Sequence, residues 1–303
     1  MAQLTLSNPV FENLSNAESV GNLSSINVHL LGRRITCMTV PAMVDAMHSA
    51  CMTDSRLTIG SYNVHSFNMS MIHPWFYNFF QTVEITMCDG VGILKAIEFM
   101  GLKLPFDYRV SYTALMPEVL KHCDRHGFSV YLLGAAQDHV DAACNNLSRH
   151  YPSLKVDGHH GFFSMQDSEQ NEAVIEQINA ANPDVLIVGM GNPRQEEWIR
   201  LYGDRLNANV IMLGGAVIKR FAGVTSDCPK LISDLGLEWL ARLCLEPRRL
   251  GVRYLIGNSA FVLQVILAKA FSSSLIVEPL TSVQGRKISS FFHEAAKTNS
   301  LEN

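Results

Sequence analysis

Apolar and polar positions along this chain fall into two alternating rhythms. Short apolar runs that end in glycine read as buried strands, and the polar spans between them carry helix-period apolar positions. SVYLLG (129–134), DVLIVGMG (184–191) and ANVIMLGG (208–215) are the clearest strands, with a shorter one over 154–157. Helices are predicted over 138–150 and 172–181, stopped by Pro152 and Pro183. Pro193 stands where the next helix begins, a position that proline favours. The first third predicts a strand pair, 26–31 and 34–38, around Gly32, then a helix over 40–51 and a strand over 57–62 that runs into Asn63. PWFYNFF marks a helix from about Pro74 that feeds a strand over 83–87, and a glycine-marked turn opens a helix over 90–100. Strand–helix alternation of this kind implies an α/β fold, a parallel sheet covered by helices, with ligands beyond the carboxyl ends of the strands.

The ends of the chain are polar. Residues 1–24 form a polar lead-in that lacks the basic start and apolar core of a secretory signal. Residues 254–271 are largely apolar, but Asn258, Ser259, Gln264 and Lys269 interrupt them. A spanning helix takes about 20 mainly apolar residues, so this stretch reads as an amphipathic helix, buried or lying at an interface. The expected division is a lead-in (1–24), an α/β core (25–235), a helical membrane-associating appendage (236–272) and a mobile polar tail (273–303). Removing the chain from about Gly236 onward is expected to harm function more than folding of the core.

Charge and cysteine usage narrow the function classes. A formal net charge of −4 over 303 residues disfavours a broad nucleic-acid surface. The seven cysteines form no C-x-x-C pair, and their irregular spacing fits a reducing, cytoplasmic compartment rather than a disulfide framework. No Asp-x-Asp, P-loop or G-x-S-x-G is present, and the eleven histidines show no zinc-ligand motif. No metal and no cofactor are therefore expected.

Four segments could carry chemistry. In GMGNPRQEEW (189–198) a strand ends in Gly189 and Gly191, and Asn192, Arg194, Gln195 and Glu196 surround a helix start. Such a terminus favours anions, but an ordinary capped turn reads the same way. Position 194 is arginine, so G-x-G-x-x-G is absent. In MCDGVGI (87–93), Asp89 is either a helix cap or a general base at a strand end. Ser61 and Asn63 in SYN are either turn formers or ligand hydrogen-bonders. In GLEWLARLCLEPRRLGVRY (236–254), Arg242, Arg248, Arg249 and Arg253 either form a solvated face paired with Glu238 and Glu246 or gather to hold phosphates.

Together these segments resemble the WecG/TagA/CpsF glycosyltransferase family, in order from about Ile26 to about Phe261. The most specific are GMGNPRQEEWI, LGGAVIKRFAG (213–223) and GLEWLARLCLEPRRLGVRYL (236–255), supported by SYN, CDGVGI, VYLLG and HHGFF. The resemblance implies a Rossmann-like α/β sheet with a smaller N-terminal α/β subdomain and a helical C-terminal appendage that docks on the membrane. It implies an inverting, metal-independent transferase that moves an N-acetylmannosamine-type sugar from a UDP donor. The acceptor would be a polyprenyl-diphosphate-linked N-acetylglucosamine at the inner face of the plasma membrane, feeding teichoic acid, capsule or exopolysaccharide synthesis. Asp89 matches the base. Ser61, Asn63 and Arg109 match the acceptor pocket, and Gln195 matches the donor site together with Gly134, Gly189, Asn192, Glu196, Gly214 and Gly215. Arg242, Arg248 and Arg249 match the diphosphate cations. Ser111 and Thr113 stand where the family carries a glycine and an aspartate, and Asp227-Cys228-Pro229 replaces its Arg-Ala-Pro. A catalytically silent nucleotide-sugar-binding scaffold is the alternative these departures raise, and a homo-oligomer is left open. A Rossmann-type oxidoreductase is disfavoured by the missing dinucleotide fingerprint.

Overall fold

A computed structural model of the chain describes residues 25–225, 232, 238–245, 247–271 and 275–279. The expected lead-in and most of the expected tail lie outside these residues, as does the Asp227-Cys228-Pro229 segment.

The described strands are β1 (Ser25–Leu30), β2 (Arg33–Met38), β3 (Leu57–Tyr62), β4 (Ile85–Cys88), β5 (Val130–Gly134), β6 (Val156–His159), β7 (Val185–Gly189), β8 (Val210–Leu213) and β9 (Ile276–Pro279). All belong to one nine-stranded sheet in the order β6-β5-β7-β8-β3-β4-β2-β1-β9. From β6 to β2 every neighbouring pair is parallel, whereas β1 pairs antiparallel with β2 and with β9. The N-terminal α/β part is therefore continuous with the rest of the sheet. β1 and β2 turn back through Leu31 and Gly32, both at positive φ, and β2 pairs with β4. β9 falls within the stretch expected as a polar tail, and it covers the free edge of β1.

Helices coat both faces. One face carries α1 (Val40–Met52), α5 (Tyr112–His126), α6 (Gln137–His150) and the short α9 (Val217–Phe221). The other carries α2 (Val64–Ile72), α3 (Pro74–Thr82), α4 (Val91–Met100), α7 (Ser168–Ala181) and α8 (Arg194–Tyr202). Central strands read as continuous apolar runs because both faces are buried, as with Val185 to Val188, all fully enclosed.

Two of the longer helices were not expected from the pattern. In α2 the core-facing positions include Ser66 and Ser70, so its buried face does not look apolar in sequence. Pro117 inside α5 reads as a breaker, yet Leu115, Met116, Val119, Leu120 and Cys123 bury one side of that helix and hold it. α7 begins earlier than predicted because the Asp167 side chain caps it by accepting from the Gln170 N–H.

The C-terminal segment forms α10 (Glu238–Leu245), α11 (Pro247–Gly251), a π-helical turn (Val252–Ile256) and α12 (Gly257–Ala270). α12 packs against α2. Phe261 and Val265 are buried, Phe261 meets Phe67 edge-on at 5.1 Å, and Asn68 Nδ2 donates to Gly257 O at 2.7 Å. Truncation near Gly236 would uncover Phe67 and this part of the core, so its cost in folding is to be weighed against its cost in transfer. The opposite side of α12 exposes Val262, Leu263, Ile266 and Leu267, with Leu255 and Ile256 just before it.

Candidate active site

Because β5, β7, β8, β3 and β4 run parallel side by side, their carboxyl ends line one edge of the molecule. Asn63 follows β3, Asp89 follows β4, Gly214 follows β8, and Gly134 and Gly189 end β5 and β7.

Asn63 has two tasks. Its Oδ1 accepts from the His65 and Ser66 N–H groups at 3.0 and 3.1 Å, and Ser66 Oγ accepts from the Asn63 N–H, a capping box that starts α2. Its Nδ2 donates to Asp89 Oδ2 at 3.3 Å. Asp89 is half-buried, and its backbone N–H donates to Tyr62 O at 3.0 Å. The N-cap of α4 is Gly90, at φ 97°, so Asp89 stands one residue before the cap position.

The segment after α4 closes over this corner. The Val110 N–H donates to Cys88 O at 3.0 Å, which brings Arg109 beside the end of β4. The Arg109 guanidinium lies 4.6 Å from the Phe106 ring centre. Tyr112, which the sequence did not single out, spans from β3 to β8. Its hydroxyl donates to Leu213 O at 2.6 Å and also meets Ser61. Burial pushes the Tyr112 pKa upward and Asp89 adds to the effect, against the opposing Ser61 hydrogen bond. The family departures have local roles: Ser111 caps α5 by accepting from the Ala114 N–H, and Thr113 Oγ1 accepts from Arg220 Nη2 at 2.6 Å. The only sequence signal for Tyr112 was its place between those two departures.

Gln195 and Glu196 lie beneath the loops rather than on their surface. Gln195 Oε1 accepts from the Gly191 N–H at 3.1 Å and from the Gly215 N–H at 3.0 Å, clamping the turns after β7 and β8 together. Its Nε2 donates to Glu196 Oε1 at 3.0 Å. Burial pushes Glu196 up to about 7, opposed by the Gln195 hydrogen bond and by a backbone one. Arg194 donates to Phe163 O and stands 5.6 Å from the Phe163 ring, tying the HHGFF loop to the start of α8. Asn192 precedes a cis proline there and is half-buried.

Gly134 and Gly189 are paired in register, and a Cβ on Gly134 would lie 2.4 Å from the Gly189 carbonyl. Chain order reverses at this pair. β5 leads outward through α6 to β6, whereas β7 leads through α8, on the opposite face, to β8. That is the switch point where open α/β sheets bind ligands. Arg248 is exposed on α11, and the side chains of Arg242, Arg249 and Arg253 lie outside the described residues.

The profile of the glycosyl transferase WecG/TagA/CpsF family matches residues 28–274. The chain belongs to this family. It is similar to the N-acetylglucosaminyldiphosphoundecaprenol N-acetyl-beta-D-mannosaminyltransferase of Staphylococcus aureus strain NCTC 8325, 30% identical over 230 residues, which cover 75% of this chain and 88% of the relative. The enzyme of the same name from strain MRSA252 matches at the same identity and coverage. The expected assignment to the WecG/TagA/CpsF transferases is thus met, on a mostly parallel sheet flanked by helices, and the chain is a glycosyltransferase.

Proposed function

We propose that this transferase moves an N-acetylmannosamine-type sugar from UDP to a polyprenyl-diphosphate-linked N-acetylglucosamine, with inversion and without a metal. The observation that carries this reading is Asp89, held by Asn63 at the end of β4 on the same edge as the Gly134–Gly189 crevice. Three strand spacings of about 4.8 Å separate β7 from β4, a distance an extended nucleotide-diphosphate sugar can bridge. The nucleotide would lie at the crevice, with its sugar reaching past Gly214 and Gly215 toward Asp89.

The chemistry uses few parts. Asp89 takes the proton of the acceptor hydroxyl as that oxygen attacks the anomeric carbon. The bond to the UDP oxygen breaks on the opposite side, which inverts the centre, and UDP leaves with the bonding electron pair. The start of α8 and arginines near the site, Arg109 and Arg220 among them, offset the charge that develops on the diphosphate. The lack of an Asp-x-Asp in the sequence fits a leaving group stabilised by protein cations. Gln195 acts by holding the two glycine turns in place, and Ser61 and Tyr112 shape the wall beside the base.

The acceptor's lipid calls for contact with a bilayer. No helix among the described residues is long and apolar enough to cross a membrane. The apolar outer side of α12, with Leu255 and Ile256 more than 60% exposed, is suited to lying in the headgroup region at the inner face of the plasma membrane. Residues 236–272 would then serve both as core and as membrane contact.

A screen of UDP-sugars against a short-chain polyprenyl-diphosphate N-acetylglucosamine, with linkage analysis, tests the reading. UDP-N-acetylmannosamine should give a β-linked product, and Asp89→Asn should lower the rate about 100- to 10,000-fold while UDP binding and the melt persist. Retained turnover in that variant would remove Asp89 as the base. UDP-sugar binding without turnover by the parent chain would favour the silent scaffold.

A further inference from the structure

The fold assembles a second cluster at the opposite pole of the sheet, joining a histidine of one helix to a pair on another. His48 lies near the end of α1, and His122 and His126 lie one turn apart at the end of α5. Their ligand-capable nitrogens all fall within 4.8 Å of one another. His48 Nδ1 stands 2.9 Å from His122 Nε2, and the His122 and His126 ring centres are 4.2 Å apart. His48 and His122 line a small recess together with Met47, Cys51, Cys123 and Phe128. Phe128 and Val185 begin the strand ends there, so the cluster faces away from Asp89.

We propose that His48, His122 and His126 bind one divalent transition ion of the zinc class. Zinc–imidazole bonds of about 2.0–2.1 Å in a tetrahedron place ligand nitrogens roughly 3.3 Å apart, against 2.9 Å for the His48–His122 pair and no more than 4.8 Å across the cluster. An imidazole binds such an ion through the lone pair of its neutral form. Of His48 and His122, one must shift its ring proton to its other nitrogen, because their short contact is a hydrogen bond before the ion enters. Asp45, one turn before His48, supplies a carboxylate in electrostatic reach of that ring. His126 is exposed, which gives the ion a path in and leaves a fourth position for water. Three imidazoles suit zinc, nickel and copper better than magnesium or calcium. An ion here would clamp α1 to α5, far from the transfer chemistry, and so would act on stability rather than on turnover.

The test uses the full chain without a histidine tag, stripped with chelator and dialysed. Zinc should bind at one equivalent and raise Tm by about 5 °C when free zinc stands near a hundred times its Kd. Cobalt(II) should give the strong visible absorption of a tetrahedral site. His126→Gln, at an exposed position that folding tolerates, should weaken zinc binding at least tenfold, and His48→Gln with His126→Gln should abolish it. His150→Gln, on the exposed end of α6, should change nothing. Zinc binding that survives the double substitution, or a parent chain that retains no more zinc than the double variant, would overturn the proposal.

Discussion

Glu196→Gln tests the buried polar layer under the candidate site. Glu196 is 1% exposed, and Gln195 Nε2 donates to its Oε1. Its Oε2 is buried and meets no hydrogen-bond partner among the described residues. Ionising this carboxyl inside the fold is therefore costly, and its pKa rises from 4.5 to about 7. At about 1.36 kcal/mol per pH unit, that rise corresponds to roughly 3 kcal/mol. The folded-state pKa lies above the unfolded one, so the folded state holds its proton longer. The associated stability is fully present below pH 4.5 and is lost as pH rises through about 7. The substituted amide never ionises, yet it keeps a carbonyl oxygen for Gln195. Below pH 4.5 parent and variant should differ little. Above pH 7 the variant should be the more stable by up to about 3 kcal/mol, or roughly 6 °C in Tm for a domain of this size. Chemical denaturation of both proteins from pH 4 to pH 8.5 measures the difference, and taking the difference removes every other titrating group. A gap that stays constant across that range would refute the reasoning.

Asn63→Ala removes the α2 cap and the partner of Asp89 together, so it should cost about 1–2 kcal/mol in denaturation and also slow transfer, a joint effect that a cap alone would not produce. Gly134→Ala should be strongly destabilising, because the added methyl meets the Gly189 backbone, and a soluble variant with a parental melt would contradict the close strand-end packing. Leu263→Gln with Ile266→Gln, both on the exposed side of α12, should strongly weaken binding to anionic vesicles in a flotation assay while Tm stays within a few degrees. Transfer should survive excess EDTA; activity lost with EDTA and restored by magnesium or manganese would show a metal in the reaction.

Most of the sheet was legible because a strand buried on both faces can only be an apolar run, and the glycines that end β5, β7 and β8 mark where each run stops. Motif order along the chain likewise carried the family. Where polar residues serve the core, the pattern gave no warning. Ser66 and Ser70 hid α2, and Pro117 hid α5, since hydrophobic periodicity cannot register a buried hydroxyl whose partner is supplied by the chain itself.

The site divides in the same way. Sequence alone placed Asp89, Asn63 and the glycine turns at strand ends, because those positions follow from local punctuation. Only the tertiary structure decided their tasks. It set Asn63 against Asp89, turned Gln195 inward as a clamp between two loops, and brought Tyr112 from α5 to the ends of β3 and β8. It also packed α12 onto α2 through Phe261 and added β9 to the edge of β1. Strand order and the face each helix covers arise from contacts between residues far apart in the chain. His48 and His122, 74 positions apart, meet for that reason alone.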